Sequence, residues 1–222
     1  MKLSSKKFVA SYSGGKDSVL AIYRALQQGL TPIAFIITYN TDRERSWFHG
    51  IPQSVLKNIE QSLDIPIWLI KTSGAEYAKS FEKALLRAKE HGAEACVFGD
   101  IDIEDHRKWC SDRCQAAGIE PLFPLWGEER KKLVYEFIDN GFMAHFSVID
   151  TERMSVEFLE QRLTRATVDK LALQGVDICG ENGEYHTFVS AGPLFRQPVQ
   201  FSFGEKKMEG SYAVLEIEGF SK

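Results

Sequence analysis

Hydrophobic and polar positions follow two alternating periods along the first half of the chain. Short continuous apolar runs, typical of buried parallel strands, occur at residues 8–12, 32–38, 66–70 and 95–98, with a shorter one before Pro121. Segments with apolar residues three and four positions apart predict helices over residues 17–28, 51–63, 77–91 and 105–117. Because strands and helices alternate, the pattern predicts a parallel sheet with right-handed crossovers.

The pattern changes after Pro121. An apolar connector leads into predicted helices over residues 128–140 and 155–173, the second with Ser155 as its N-cap. Predicted strands occupy residues 142–149, 187–190, 198–207 and 211–218, and the last two form a hairpin that turns within residues 206–211. We therefore expect an α/β domain, a twisted parallel sheet with helices on both faces, over residues 1–123. A smaller α+β domain is expected over residues 124–222.

Composition narrows the class of protein. The 222 residues are 44% hydrophobic and 26% charged, as in soluble globular proteins. The net charge of −4 lacks the basic excess of general nucleic-acid binders. No apolar run approaches the length of a membrane span, and the start does not have a signal-peptide pattern, so the expected location is cytoplasmic.

The four cysteines do not follow a secreted disulfide pattern. His106, Cys110 and Cys114 fall on one face of a predicted helix. Three ligands spread over about 12 Å of helix rise are too far apart for one tetrahedral ion, so at most two neighbours share a metal. A helix face in contact with the core or a pocket is the favoured interpretation.

The most informative motif is Ser-Gly-Gly-Lys-Asp-Ser at residues 13–18, between the first strand and the first helix. Such a turn presents backbone N–H groups and the positive end of a helix dipole to an anion. Gly14 and Gly15 allow close approach, Lys16 adds a charge, and Ser13 and Ser18 add hydroxyl groups. The spacing matches neither the common phosphate loop nor the dinucleotide fingerprint. The motif predicts a phosphate or pyrophosphate site.

This motif resembles the signature of the N-type ATP pyrophosphatases, which split ATP between the α and β phosphates. The resemblance implies ATP and Mg²⁺ as cofactors, with phosphates on Gly14, Gly15, Lys16 and Ser18 and the metal near Asp17 or Asp100. Further nucleotide contacts are expected from the ends of the first two strands and from the segment after the 95–98 strand: Ser11, Tyr12, Ser13, Asp17, Thr38, Tyr39, Gly99 and Asp100. An ordinary turn is the structural alternative for this motif.

The polar and aromatic segment 39–50 follows the second strand. It contains Arg43, Arg45, Trp47 and His49. A mobile lid and an ordinary solvated loop are equally compatible with this composition.

A second unusual segment, Gly-Glu-Asn-Gly-Glu-Tyr-His-Thr, occupies residues 180–187. Glu181, Glu184 and His186 are candidates to bind an acceptor or to deprotonate a nucleophile. Carboxylates near an ATP site also suit Mg²⁺ or an amine. A polar β-turn with solvated charges is the structural alternative.

Taken together, residues 13–18, 99–101, 124–126 and 180–187 resemble the diphthine–ammonia ligase family over nearly the whole chain. The resemblance implies a ligase that adenylates a carboxylate, releases pyrophosphate and passes the acyl group to ammonia or an amine. In that family the acceptor is diphthine, a modified histidine of a translation elongation factor. Catalytic candidates are Lys16, Asp17, Asp100, Glu181, Glu184 and His186. Acceptor-binding candidates are Asp102, Arg107, Trp126, Glu181, Glu184, Tyr185 and Thr187.

Residues 105–109 and Cys114 look like the bacterial-type members of that family, for which a diphthamide pathway is not expected. The chemistry is thus better indicated than the acceptor. Two other functions stay open: a tRNA-modifying pyrophosphatase of the thiolase or lysine-ligase type, and a nucleotide sensor without turnover. Neither a membrane nor nucleic acid is an expected partner, and a homodimer is compatible with the sequence.

Overall fold

The computed structural model describes residues 6–47 and 49–219, which form ten strands and six α-helices. The described residues divide into two compact units. One contains residues 6–13, 17–47 and 65–127, and the other contains residues 14–16, 49–64 and 128–219. Phe48, within the segment interpreted as a lid, lies outside the described residues.

The first unit is built on a mostly parallel sheet. Its strands are β1 (Lys7–Ser11), β2 (Thr31–Asn40), β3 (Arg45–Ser46), β4 (Ile67–Thr72), β5 (Ala95–Val97) and β6 (Glu120–Leu122). The parallel strands pair in the order β4-β2-β1-β5-β6, and β3 pairs antiparallel with the end of β2. From β1, successive strands are added first on one side of the sheet (β2, β4) and then on the other (β5, β6). Ligands of such a sheet bind where this reversal occurs, beyond the carboxyl ends of β1 and β5.

Helices of the first unit cover the sheet with apolar residues. They are α1 (Lys16–Gln27), α3 (Tyr77–Glu90) and α4 (Glu104–Ala117), where the first residue of α1 belongs to the other unit. A core of α3, α4 and one sheet face includes Val9, Ile36, Phe81, Leu85 and Cys114. Phe8, Ala10 and Phe35 alternate with these strand positions and are also buried. Because both strand faces are apolar, the sheet needs helices on each side, and this confirms the predicted fold class.

The second unit contains an antiparallel sheet, whose four strands pair in the order β8-β7-β10-β9. Its elements are α2 (Gln53–Leu63), α5 (Arg130–Asp139), β7 (Met143–Asp150), α6 (Arg165–Leu173), β8 (Tyr185–Ala191), β9 (Ser202–Glu209) and β10 (Tyr212–Glu218). The β9–β10 hairpin turns at Gly210, as predicted from the sequence. The predicted domain boundary at residue 124 stays a prediction.

The single helix predicted over residues 155–173 is wrong. Ser155 caps only a 3-10 turn at Val156–Phe158, and Glu160 then adopts a left-handed φ of 76°. Glu160 N–H donates to Phe146 O and Leu163 N–H donates to Ala144 O, so this segment runs beside β7. Thr164 begins the true helix, α6, with a capping box. Pairing with a strand outweighs local helix propensity here.

Other differences are small. The 39–50 segment contains β3, a strand that the sequence did not predict, and the remaining bounds shift by a few residues. Among the described residues, the helices are too short or too polar to cross a membrane.

Candidate active-site residues

The glycine turn Gly14–Lys16 belongs to the second unit. Gly14 has a φ of +86°, and its carbonyl accepts a 2.9 Å hydrogen bond from Val189 N–H. A Cβ atom on Gly14 would overlap Ile51, and one on Gly15 would overlap the ring of His49. Backbone conformation and close packing therefore both require glycine in this turn.

Lys16 is buried, with 4% of its surface exposed. Its backbone N–H donates to Thr187 Oγ1 at 3.1 Å, and its ammonium group donates to the carbonyl of Cys179. The same ammonium lies 5.3 Å from the centre of the Tyr185 ring, within cation–π distance. The predicted residues Lys16, Tyr185 and Thr187 are thus brought together, and Cys179 adds a contact that the sequence did not predict.

Two imidazoles lie beside this turn. His49 and His186 form an edge-to-face pair with ring centres 4.9 Å apart, and His49 Nδ1 lies 2.8 Å from Thr187 O. Burial and the nearby Lys16 charge lower the pKa of His186 to about 4. Burial, followed by His186 and Lys16, holds the pKa of His49 well below its ordinary value. Both rings are therefore neutral at neutral pH.

Hydrogen bonds fix the Glu184 carboxylate and the backbone at Glu181. Buried Glu184 accepts hydrogen bonds from the backbone and side-chain amides of Asn182, at 3.0 and 3.2 Å. Glu181 N–H donates to Asp177, which also forms an ion pair with Arg130 and accepts from Cys179 N–H. These bonds fix the backbone that presents the Cys179 carbonyl to Lys16.

In the first unit, Ser18 Oγ closes the start of the loop. It accepts hydrogen bonds from Ser13 N–H at 3.3 Å and from the Ser13 hydroxyl at 3.1 Å. A Cβ on Gly99 would lie 2.7 Å from Ser18 N and 2.8 Å from Asp17 C. Gly99 therefore permits the end of β5 to pack directly on the first turn of α1.

Asp100 follows Gly99 at the carboxyl end of β5. Burial raises the pKa of its carboxyl group, Asp17 adds to the rise, and His106 opposes it. Cys110 Sγ donates to Asp100 Oδ2 at 3.7 Å, and His106 Nδ1 lies 3.7 Å from Oδ1. Cys114 instead packs in the core. Within the described residues, no group of three His, Cys, Asp or Glu side chains can hold a metal ion.

Thr38 and Tyr39, near the end of β2, make different contacts. Thr38 Oγ1 lies 3.2 Å from the Tyr77 hydroxyl, and Tyr77 packs edge-on to Trp47. The Tyr39 hydroxyl donates to Glu44 O and closes the β2–β3 turn. Thr38 therefore contacts an aromatic cluster, whereas Tyr39 stabilises the β2–β3 hairpin to which it belongs.

The other predicted residues of the first unit are dispersed. Ser11 ends β1, and Tyr12 stacks on Phe35 with ring centres 5.6 Å apart. Arg107 lies 4.5 Å from the ring centre of Trp126, and Asp102 is exposed. Among the described residues, the buried Tyr12 hydroxyl has no hydrogen-bond partner.

Sequence reasoning named His49 only as part of the 39–50 segment. The structure places it against Gly15, in the second unit, beside His186. The available signal was a histidine shortly after the carboxyl end of β2, where the ligands of parallel sheets bind. Its pairing with His186, 137 positions further along the chain, had no local signal.

The comparison with protein families is decisive. The model described as "Diphthamide synthase N-terminal domain" matches residues 6–121, and "Diphthamide synthase C-terminal domain" matches residues 129–222. The chain belongs to the diphthamide synthase family. This confirms the resemblance on which the sequence interpretation depends.

Curated relatives agree with this assignment. A protein of Danio rerio named diphthine–ammonia ligase is 22% identical over 87% of this chain and 85% of its own length. The protein of the same name from Homo sapiens is 26% identical over 63% of this chain and 54% of its own length. These names describe a ligase, as predicted for the enzyme class.

One solved structure covers most of the chain. It is described as a predicted subunit of a tRNA methyltransferase from Methanocaldococcus jannaschii, and it is 17% identical with a TM-score of 0.45. The match covers 87% of this chain and 100% of that one.

Proposed function

We propose that this member of the diphthamide synthase family is an ATP-dependent ligase that adenylates a carboxylate and joins it to ammonia, releasing AMP and pyrophosphate. The family matches over residues 6–121 and 129–222 are the observation that carries this proposal. The acceptor class is a carboxylate of the diphthine type. ATP supplies the activation, by placing a good leaving group on the acceptor carboxyl carbon.

The glycine turn fits a polyphosphate. Gly14 and Gly15 have no room for a Cβ atom, and the turn leads into the first turn of the twelve-residue helix α1. Backbone N–H groups at a helix start favour an anion, and Lys16 adds a buried positive charge. In the proposed reaction these fixed charges stabilise the departing pyrophosphate. The contacts of Lys16 to Cys179 and Tyr185 restrain its stem and ammonium group.

Asp17 and Asp100, both in the first unit, suit Mg²⁺. Their carboxylates are close enough for Asp17 to raise the pKa of Asp100, a repulsion that a cation between them would relieve. Mg²⁺ usually takes one or two protein carboxylates and completes its shell with phosphate and water oxygens. A pair of carboxylates fits that preference.

We assign contacts with the acceptor to residues of the 180–187 loop. Hydrogen bonds from Asn182 hold the Glu184 carboxylate, so Glu184 orders this loop, and Glu181 and His186 are the candidates to contact acceptor or nucleophile. A neutral imidazole at His186 can accept a proton from the attacking nitrogen. Asp102, Arg107 and Trp126 stay candidates for acceptor binding.

The proposed function is tested by identifying the products of the reaction. Purified protein, ATP labelled in the α position, Mg²⁺ and ammonium are incubated with diphthine-bearing elongation factor and, separately, with a panel of small carboxylates. We expect AMP and pyrophosphate in amounts equal to the amide formed. ADP with phosphate, or AMP release without any carboxylate, would contradict adenylation of an acceptor.

The Glu181→Gln variant tests whether the Glu181 carboxylate acts on the acceptor or on the nucleotide. It keeps the size of the side chain and removes its charge, so we expect unchanged pyrophosphate binding and slower amide formation. Glu129→Gln, at the N-cap of α5, is the matched control in the same unit and should leave both unchanged. Loss of pyrophosphate affinity in Glu181→Gln would place this carboxylate on the nucleotide side instead.

A further inference from the structure

His49 lies directly against the second glycine of the turn. A Cβ atom built on Gly15 would lie 3.0 Å from His49 Nε2 and 3.2 Å from Nδ1. The imidazole edge therefore borders the backbone to which we assign pyrophosphate. A group bound on this side of the Gly15 backbone lies within reach of the ring.

The hydrogen bond to Thr187 decides the tautomer of His49. A backbone carbonyl only accepts, so Nδ1, which lies 2.8 Å from Thr187 O, must carry the hydrogen. In the neutral ring Nε2 then has a lone pair. A lone pair repels a phosphate oxygen, whereas an Nε2–H group would donate to it.

Burial and the surrounding charges keep His49 neutral when no anion is bound to the turn. Lys16 and His186 are the titratable groups that act on it, and burial is the largest cause of its lowered pKa. An anion bound to the turn reverses the local sign, because negative charge favours the protonated form of a nearby imidazole. Thr187 then holds Nδ1–H in place while Nε2 gains the new hydrogen.

We propose that His49 is a cationic residue of the pyrophosphate site that becomes charged only on binding: it takes up one proton at Nε2 from solvent when a pyrophosphate group occupies the Gly14–Lys16 turn. His186, which packs edge-to-face with His49, stays neutral. This inference rests on the proposed function for the location of the anion. It adds a donor that neither the motif nor the family matches assign.

The proposal predicts coupled proton uptake. Titration calorimetry of the full chain with inorganic pyrophosphate, at about pH 7 in buffers of different ionisation enthalpy, counts the protons exchanged. Pyrophosphate itself titrates, so the informative quantity is the difference between proteins. We expect His49→Gln to take up about one proton fewer than wild type and to bind pyrophosphate about tenfold more weakly.

His91→Gln is the matched control, because His91 is exposed at the end of α3 in the other unit. It should exchange the same number of protons as wild type. In wild type, the NMR titration of the His49 Cε1 proton should move to higher pH on pyrophosphate binding, a readout that does not depend on folding of the variant.

The outcomes separate the two proposals. Saturable pyrophosphate binding with equal proton counts in wild type and His49→Gln, and an unmoved His49 titration, would overturn the role of His49 and leave the proposed function standing. Absence of saturable binding to wild type would overturn both.

Discussion

At the scale of single residues, Gly99 illustrates a glycine required by packing. Its Cβ position is 2.7 Å from Ser18 N and 2.9 Å from Ser18 Cα, and backbone atoms cannot rotate away as side chains can. We predict that Gly99→Ala lowers the free energy of unfolding by about 1–3 kcal/mol, the usual cost of overpacking. Urea unfolding measures this change.

The matched control for Gly99→Ala is Gly74→Ala. A Cβ at Gly74 makes an ordinary 3.5 Å contact with Trp47, so this change should alter stability by less than about 0.5 kcal/mol. Similar losses in both variants would show that the clash at Gly99 is relieved by movement of α1.

Lys16 and His186 are coupled at the same scale. Burial and the Lys16 charge together lower the pKa of His186 to about 4. Lys16→Met keeps most of the buried stem and removes the charge, so the pKa of His186 should rise yet stay below 6.5, because burial persists. NMR titration of His186 measures this shift, and Lys57→Met, on exposed Lys57 of α2, should leave it unchanged. An unmoved His186 in Lys16→Met would mean that burial alone sets its pKa.

At the scale of elements, local patterns predicted the first unit well. Each parallel strand is a compact apolar run, and each helix carries its own apolar stripe, so local sequence identifies both. Residues 155–173 have an equally helical pattern, yet residues 160–163 run beside β7. Local sequence gives no signal for this pairing, because the partners are separated along the chain. The contacts of His49 with Gly15 and His186 could not be predicted for the same reason.

The break between Val156–Phe158 and α6 gives an element-scale prediction. The Thr164 side chain accepts from Thr167 N–H at 3.2 Å within a capping box, whereas Ser155 serves only a 3-10 turn, at 3.3 Å. We predict that Thr164→Ala destabilises the protein by about 1 kcal/mol and Ser155→Ala by clearly less. Thermal or urea unfolding distinguishes them, and the reverse order would restore Ser155 as the functional cap.

At the scale of the whole molecule, the two units should respond differently to acid. His49 and His186 lie in the second unit and have lowered pKa values, so their unfolded forms bind protons that the folded unit does not. The stability they contribute is complete above about pH 6.5 and is lost as the pH falls through their lowered pKa values, which for His186 is about 4. In the first unit, Asp100 has a raised pKa, which acts in the opposite direction.

We predict that the second unit loses about 2 kcal/mol of stability through His186 alone between pH 7 and pH 5, since one pKa unit corresponds to about 1.4 kcal/mol. Tryptophans 47, 68, 109 and 126 all lie in the first unit, so their fluorescence reports that unit alone. Hydrogen exchange of peptides from β7 and β8 reports the second. Replacing both His49 and His186 with glutamine should weaken the pH dependence of protection against exchange in β7 and β8, leaving the part due to His145, whose pKa burial and Arg162 also lower. The unfolding transition followed by tryptophan fluorescence should not change. A pH dependence of undiminished size in this double variant would assign the acid sensitivity of the second unit to other groups, His145 among them.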